Sequence, residues 1–189
     1  MVFVVFADFQ ILDLTGPLAV FYNGARVLEG RRRAATPAYR TEVVAASAGR
    51  VDCQQSLGIF ADRGFAAVKE PIDTLIVAGG SGVHQAVRDG ALTVWLRQTA
   101  PNVRRLCSVC TGAFALAAAG LLDGRRATTH WASCQRLAEN YPEVAVEPDS
   151  IYVRDGTTYT SAGVTAGMDL ALALVEEDFG RDCAITAAR

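Results

Sequence analysis

Apolar residues in this chain fall in short unbroken runs parted by polar turns, and between the runs they recur at helical spacing. Val2 to Phe6 is the first run, and Leu14 to Leu28 follows with Leu18, Phe21, Tyr22 and Ala25 on one helical face. Tyr39 to Ala46 predicts a second strand, and Val51 to Phe60 a hairpin bent around Ser56 to Gly58. Asp73 to Ala78 reads as a buried strand that ends on Gly79-Gly80-Ser81-Gly82, with helix from Val83 to Gln98 broken at Asp89-Gly90. A strand from Arg104 then runs straight into a helix closed by Gly120 and Asp123-Gly124. Trp131 to Asn140 predicts helix, Val144 to Val146 and Ile151 to Thr160 predict strands, and the latter turns at Asp155-Gly156. From Val164, the positions Met168, Leu170, Leu172, Leu174 and Val175 predict a helix packed on the sheet and ending at Gly180. Strands alternating with helices require crossover connections, so the fold class is α/β with a mostly parallel sheet covered on both faces.

The strand-to-helix joint at Cys110 carries the strongest chemical signal. A sharp turn there holds its central side chain out at the carboxyl edge of the sheet, and it needs small residues two positions to either side. Ser108 and Gly112 supply them. The first N–H groups of the following helix and its dipole favour a thiolate, which predicts a more reactive thiol than usual. The competing reading is a small apolar residue packed under a helix.

Sites in open parallel sheets form beyond the carboxyl ends of the strands, which selects the candidates around Cys110. Asp13, between Leu12 and Leu14, is either a plain helix-start aspartate or a buried acid that keeps its proton and donates to the sulfur. Gly79 and Gly80 lack side chains, so one of their N–H groups, with that of Thr111, could form an oxyanion pocket. His130 stands between an extended segment and a helix, where a site residue and a satisfied capping histidine are equally at home. His84 reads as a surface residue. Two histidines without paired cysteines or carboxylates give no case for a metal, and no dinucleotide or phosphate-loop fingerprint occurs, so no cofactor is expected.

With 189 residues the chain can bury one good core, so residues 1–189 read as one domain. The longest apolar run, Ala113 to Leu122, is far short of the about 18 residues that span a membrane. The apolar start is stopped by Asp8 and lacks a basic leader, so it predicts a strand and not a signal peptide. A net charge of −2 predicts no DNA binding by this domain alone, and the short basic runs Arg31 to Arg33, Arg104 to Arg105 and Arg125 to Arg126 read as solvated loops. Five cysteines is an odd count that speaks against a disulfide framework and for a reducing cytoplasm. Cys107, three residues before Cys110, points to the opposite face of its strand and reads as core, as do Cys53, Cys134 and Cys183. The helix-prone segment Asp182 to Arg189 has no terminating residue, which predicts that the natural chain continues.

Six segments in order resemble the ThiJ/PfpI superfamily of class I glutamine-amidotransferase-like domains. They are Leu12-Asp13-Leu14-Thr15-Gly16-Pro17, Ala78-Gly79-Gly80, Val109 to Phe114, Ala119 to Arg125, Thr129-His130-Trp131 and Thr160 to Asp169. The resemblance implies a flavodoxin-like three-layer sandwich, commonly dimeric, with Cys110 at a nucleophile elbow and Asp13 as its acidic partner. Two branches share these segments. In isocyanide hydratases the aspartate, the cysteine and the following threonine, here Thr111, would add water to an isocyanide and give an N-substituted formamide. In the amino-terminal domains of AraC-type transcriptional regulators the same pocket is kept for sensing, here of a small-molecule ligand or of the oxidation state of Cys110. The resemblance puts Gly79, Gly80, His130 and Gly163 among the ligand-facing positions. Leu122 to Trp131, Val175 to Gly180 and the last helix are more similar to the regulator branch, whose DNA-binding helix-turn-helix half is missing from these residues. Proteolysis or glutamine hydrolysis is weaker, since many relatives carry a histidine where Thr111 stands and only His130 could replace it.

Overall fold

The computed structural model describes residues 1–32 and 37–189, with side chains described outside 30–36. The strands are β1 (Val2–Val4), β2 (Glu42–Ala45), β3 (Gly49–Asp52), β4 (Gly58–Ala61), β5 (Arg63–Gly64), β6 (Thr74–Val77), β7 (Arg105–Val109), β8 (Arg126–Ala127), β9 (Ala145–Val146), β10 (Tyr152–Asp155) and β11 (Thr158–Ser161). The helices are α1 (Ile11–Arg32), α2 (Val83–Asp89), α3 (Ala91–Thr99), α4 (Ala113–Ala118), α5 (Cys134–Asn140), α6 (Ala166–Phe179) and α7 (Arg181–Ala187). Seven strands form the main sheet in the order β10-β11-β7-β6-β1-β2-β5. Every neighbouring pair is parallel except β10 with β11, a hairpin at one edge. This is the α/β sandwich expected from the alternation of strands and helices.

The central strands are apolar on both faces because both faces are covered. Phe3, Val4, Leu75, Val77, Cys107 and Val109 are all buried. Helices α1, α6 and α7 pack together as one layer, and α2, α3 and α4 as another. Gly90, with φ +79°, ends α2 and starts α3, so the break expected at Asp89-Gly90 is a left-handed residue that glycine adopts without a Cβ clash.

Chain order runs from β1 outward to β2 and then returns to β6 on the other side of β1. Loops leaving β1 and β6 therefore diverge, and the crevice between them lies at a topological switch point. The carboxyl ends of β1, β6, β7 and β11 open onto this crevice. They deliver, in turn, the start of α1, the double glycine, Cys110 and the segment before α6.

Two expectations about charge and cysteine are decided by burial. Arg105 is only 2% exposed and pairs with Asp178 at 2.5 Å and Glu177 at 3.7 Å, so it is a buried structural cation and not part of a solvated loop. Arg104 beside it remains half exposed and pairs with Asp73. The run Arg31 to Arg33 lies outside the residues whose side chains are described. All five cysteines are buried, and Cys107 is core as its strand position predicts.

Candidate functional site

Cys110 follows β7 directly and takes φ +55°, a left-handed conformation that costs an L-residue energy and persists only where the surroundings enforce it. Three contacts do so. The Cys110 N–H donates to the Ala162 carbonyl at 3.2 Å, and the Cys110 carbonyl accepts from the Thr129 hydroxyl at 2.8 Å. Gly112 lies against the carbonyls of Val77 and Ala78, where a Cβ would press on backbone oxygen. The small residue two positions after the cysteine is thus needed for the reason the sequence pattern implies.

Asp13 lies in the first turn of α1 and is fully buried. Its Oδ2 accepts from the Gly79 N–H at 2.9 Å, a bond that closes the crevice between the β1 and β6 loops. Its Oδ1 is buried with no hydrogen-bond partner. Burial raises the Asp13 pKa from 3.8 to about 7, against the smaller opposing effects of the Gly79 amide and the Cys110 thiol. Oδ1 has no donor to hold a negative charge, which is the physical reason the carboxyl keeps its proton to higher pH.

The double glycine does not act as expected. Gly79 gives its N–H to Asp13, and Gly80 gives its N–H to the Thr111 hydroxyl at 2.8 Å, while that hydroxyl donates back to the Gly80 carbonyl at 3.0 Å. Both glycine amides are therefore occupied, and the oxyanion pocket expected from them is not formed. What Gly79 contributes is space. A Cβ there would lie 2.6 Å from the Thr111 nitrogen, 2.8 Å from Asp13 Oδ2 and 2.8 Å from Cys110 Cβ, so three site residues converge on the missing side chain. Thr111 in turn spends its hydroxyl on locking the two loops together.

The amides that face the sulfur are those of Thr111 and Val164. Val164 has φ +52°, a strained backbone for a β-branched residue, and no pattern in the sequence marks it. Even so the thiol is not a resting thiolate. Burial, followed by the nearby Asp13 carboxylate, pushes Cys110 up to about 12, and the two amides only partly offset this. The expectation of a dipole-activated thiolate is corrected here. The turn after Cys110 is a single turn of 3-10 helix, and α4 behind it has only six residues, so little dipole is available against the desolvation.

A cavity of about 310 Å³ opens over the sulfur, with Gly80, His84, Cys110, Thr111, His130 and Arg136 in its wall. Gln10, Gln54, Ser81 and Val164 complete the wall. His130 caps the next turn, its Nδ1 accepting from the Ala132 N–H at 3.3 Å, and its ring borders the cavity. Gly163 sits against that ring, and a Cβ there would meet His130 Cδ2, so its part in the site is to make room for His130. His84 is half-buried and borders the cavity, where a plain surface position was expected. It packs edge-on against Phe114 with centroids 5.0 Å apart, and burial, helped by the Arg136 and Arg88 guanidiniums, lowers its pKa. Arg136 lies over the other side of the cluster, 5.3 Å from the Phe114 centroid. His84 and Arg136 were missed because nothing local shows that α2 and α5 bring them to one cavity wall. Among the described residues no group of three or more His, Cys, Asp or Glu is set to hold a metal, and no helix is long and apolar enough to cross a membrane.

The model of the DJ-1/PfpI family matches residues 1–177. An isonitrile hydratase from Pseudomonas putida is 36% identical over 184 residues, 96% of this chain and 73% of that protein. The HTH-type transcriptional regulator CdhR from Pseudomonas aeruginosa is 35% identical over 179 residues, 94% of this chain, which spans about half of the regulator's length, 52%. The crystal structure of a ThiJ/PfpI family protein from Pseudomonas syringae superposes with a TM-score of 0.84 at 28% identity, covering 99% of this chain and 72% of that one.

Proposed function

This chain belongs to the DJ-1/PfpI family, and from that premise we propose that it is the ligand-sensing domain of an AraC-type transcriptional regulator. Its small-molecule ligand would occupy the cavity over Cys110. The observation that carries the proposal is the state of the site: the thiol is held protonated, its pKa pushed up to about 12, and both glycine amides are already bonded within the protein. The amides of Thr111 and Val164 that face the sulfur are the ones left to a bound group, and with the thiol protonated the site suits reversible occupancy of the cavity. CdhR is similar over nearly the whole chain, which supports the same choice. On this proposal the domain works in the cytoplasm as a homodimer, and a helix-turn-helix segment outside these 189 residues would make the DNA contacts.

A second reading is favoured by the isonitrile hydratase relative and by one geometric fact. Asp13, titrating at about 7 beside the thiol, could relay a proton. Cys110 sulfur would bond to the isocyanide carbon as Asp13 passes the thiol proton to that carbon, leaving a thioimidate. Water would then add to the same carbon and release the thiol and an N-substituted formamide.

Incubation of the purified chain with an aryl isocyanide, with the formamide measured by chromatography, separates the two. A sensor gives no formamide above the buffer rate, and wild type and Cys110→Ser are indistinguishable. Turnover that disappears in Cys110→Ser and Asp13→Ala would establish the hydratase. The genomic sequence beyond Arg189 supplies an independent check, since a regulator reads on into helix-turn-helix units.

A further inference from the structure

We propose that the ligand of the Cys110 cavity is a small carboxylate, its charged end held by Arg136 and its other end over the sulfur. The inference rests on the ligand-pocket proposal above and adds the chemical class. The cavity, at about 310 Å³, lies at the small end of small-molecule sites, which confines the ligand to a compact molecule. No Asp or Glu stands in its wall. Asp13, buried beside the thiol, is neutral over the pH range below its pKa of about 7.

Arg136 is the one fixed charge in that wall. Its guanidinium rests on the face of Phe114 and donates to the Ser133 hydroxyl at 3.4 Å, and among the described residues it forms no ion pair. Glu139, three residues along α5, accepts from Gln135 at 2.8 Å instead. On the α2 side, Arg88 donates to the Gln85 side-chain oxygen, and the Gln85 amide in turn donates to Asp89. The lowered pKa of His84, to which both guanidiniums contribute after burial, reports a positive local field. An arginine laid flat on an aromatic ring, with its edge toward a cavity and no anion supplied by the protein, presents the planar fork that matches a carboxylate.

Iodoacetate and iodoacetamide test this directly, because they differ only in a carboxylate against a neutral amide. In either reaction the Cys110 sulfur displaces iodide, the thiol proton passing to solvent, and peptide mass mapping separates Cys110 from the other four cysteines, all buried. The quantity read is the ratio of the iodoacetate rate to the iodoacetamide rate at Cys110. Arg136→Gln should lower that ratio about tenfold, and Arg136→Lys, which keeps the charge and loses the fork, should fall between. Arg136 is exposed, so neither variant threatens the core. Equal ratios in wild type and Arg136→Gln, with Cys110 labelled in both, overturn the carboxylate and leave the ligand pocket standing. Cys110 left unlabelled by both reagents at about pH 10 in the folded protein, where part of the thiol is ionised, but labelled by both once the chain is unfolded, overturns the pocket and the carboxylate together.

Discussion

Replacing Asp13 with Asn keeps the shape of the side chain and an oxygen to accept from Gly79, while removing the titration. The size of the effect follows from the acid's position. In the unfolded chain its pKa is the ordinary 3.8, and in the folded protein burial holds it at about 7. Below 3.8 both states keep the proton. Between the two values only the folded state keeps it, so each unit of rising pH removes up to about 1.4 kcal/mol of stability, and above 7 the loss is complete at about 4 kcal/mol. The stability given by the retained proton is thus fully present below pH 3.8 and lost as pH rises from there to about 7. Asp13→Asn should not show this loss. Urea unfolding of both proteins at pH 5, 6, 7 and 8, extrapolated to water, would be compared as wild type minus variant, so that the other titrating groups cancel. That difference should fall by about 2 to 3 kcal/mol from pH 5 to pH 8. A difference that stays level across the range would show that Asp13 is ionised in the folded protein at acid pH, and the account of the buried acid would be wrong.

The same variant should move the Cys110 thiol down from about 12, since the neighbouring carboxylate is one of the two causes that raise it; the pH dependence of its alkylation rate measures this. Gly79→Ala forces a Cβ among Thr111, Asp13 and Cys110 and should cost about 1–3 kcal/mol in chemical denaturation. Arg105→Met strands Asp178 and Glu177 beside a buried position and should cost about 3 kcal/mol, whereas Arg104→Ala, half exposed, should cost under about 1 kcal/mol. Val164→Gly relieves a left-handed β-branched residue and should raise stability by about 1 kcal/mol, read as an increase in Tm.

The order of strands and helices was open to reading from residues alone. Each buried strand is a run such as Leu75 to Ala78, and the break at Asp89-Gly90 is marked by a glycine that takes a conformation other residues avoid. The joint at Cys110 was legible from the small residues Ser108 and Gly112 on either side of it, although the backbone that forces Gly112 to be small belongs to Val77 and Ala78 at the end of β6. Asp13 was legible as a candidate from its place after β1, although its second alternative, a plain capping acid, could only be set aside by its depth.

Tertiary structure decided what the polar groups do. Whether the amides of Gly79 and Gly80 are free depends on Asp13, 66 residues away, and on Thr111, 31 residues away, and both take them. Arg105 is buried because Asp178, 73 residues on, is brought to it, and a charge survives in a core only with such a partner. His84 and Arg136 belong to different helices and acquire a common role only when both pack around Phe114. Apolar periodicity is a property of neighbouring positions and is therefore written in the sequence. The state of a hydrogen bond or a charge is a property of a pair, and the fold chooses the pair.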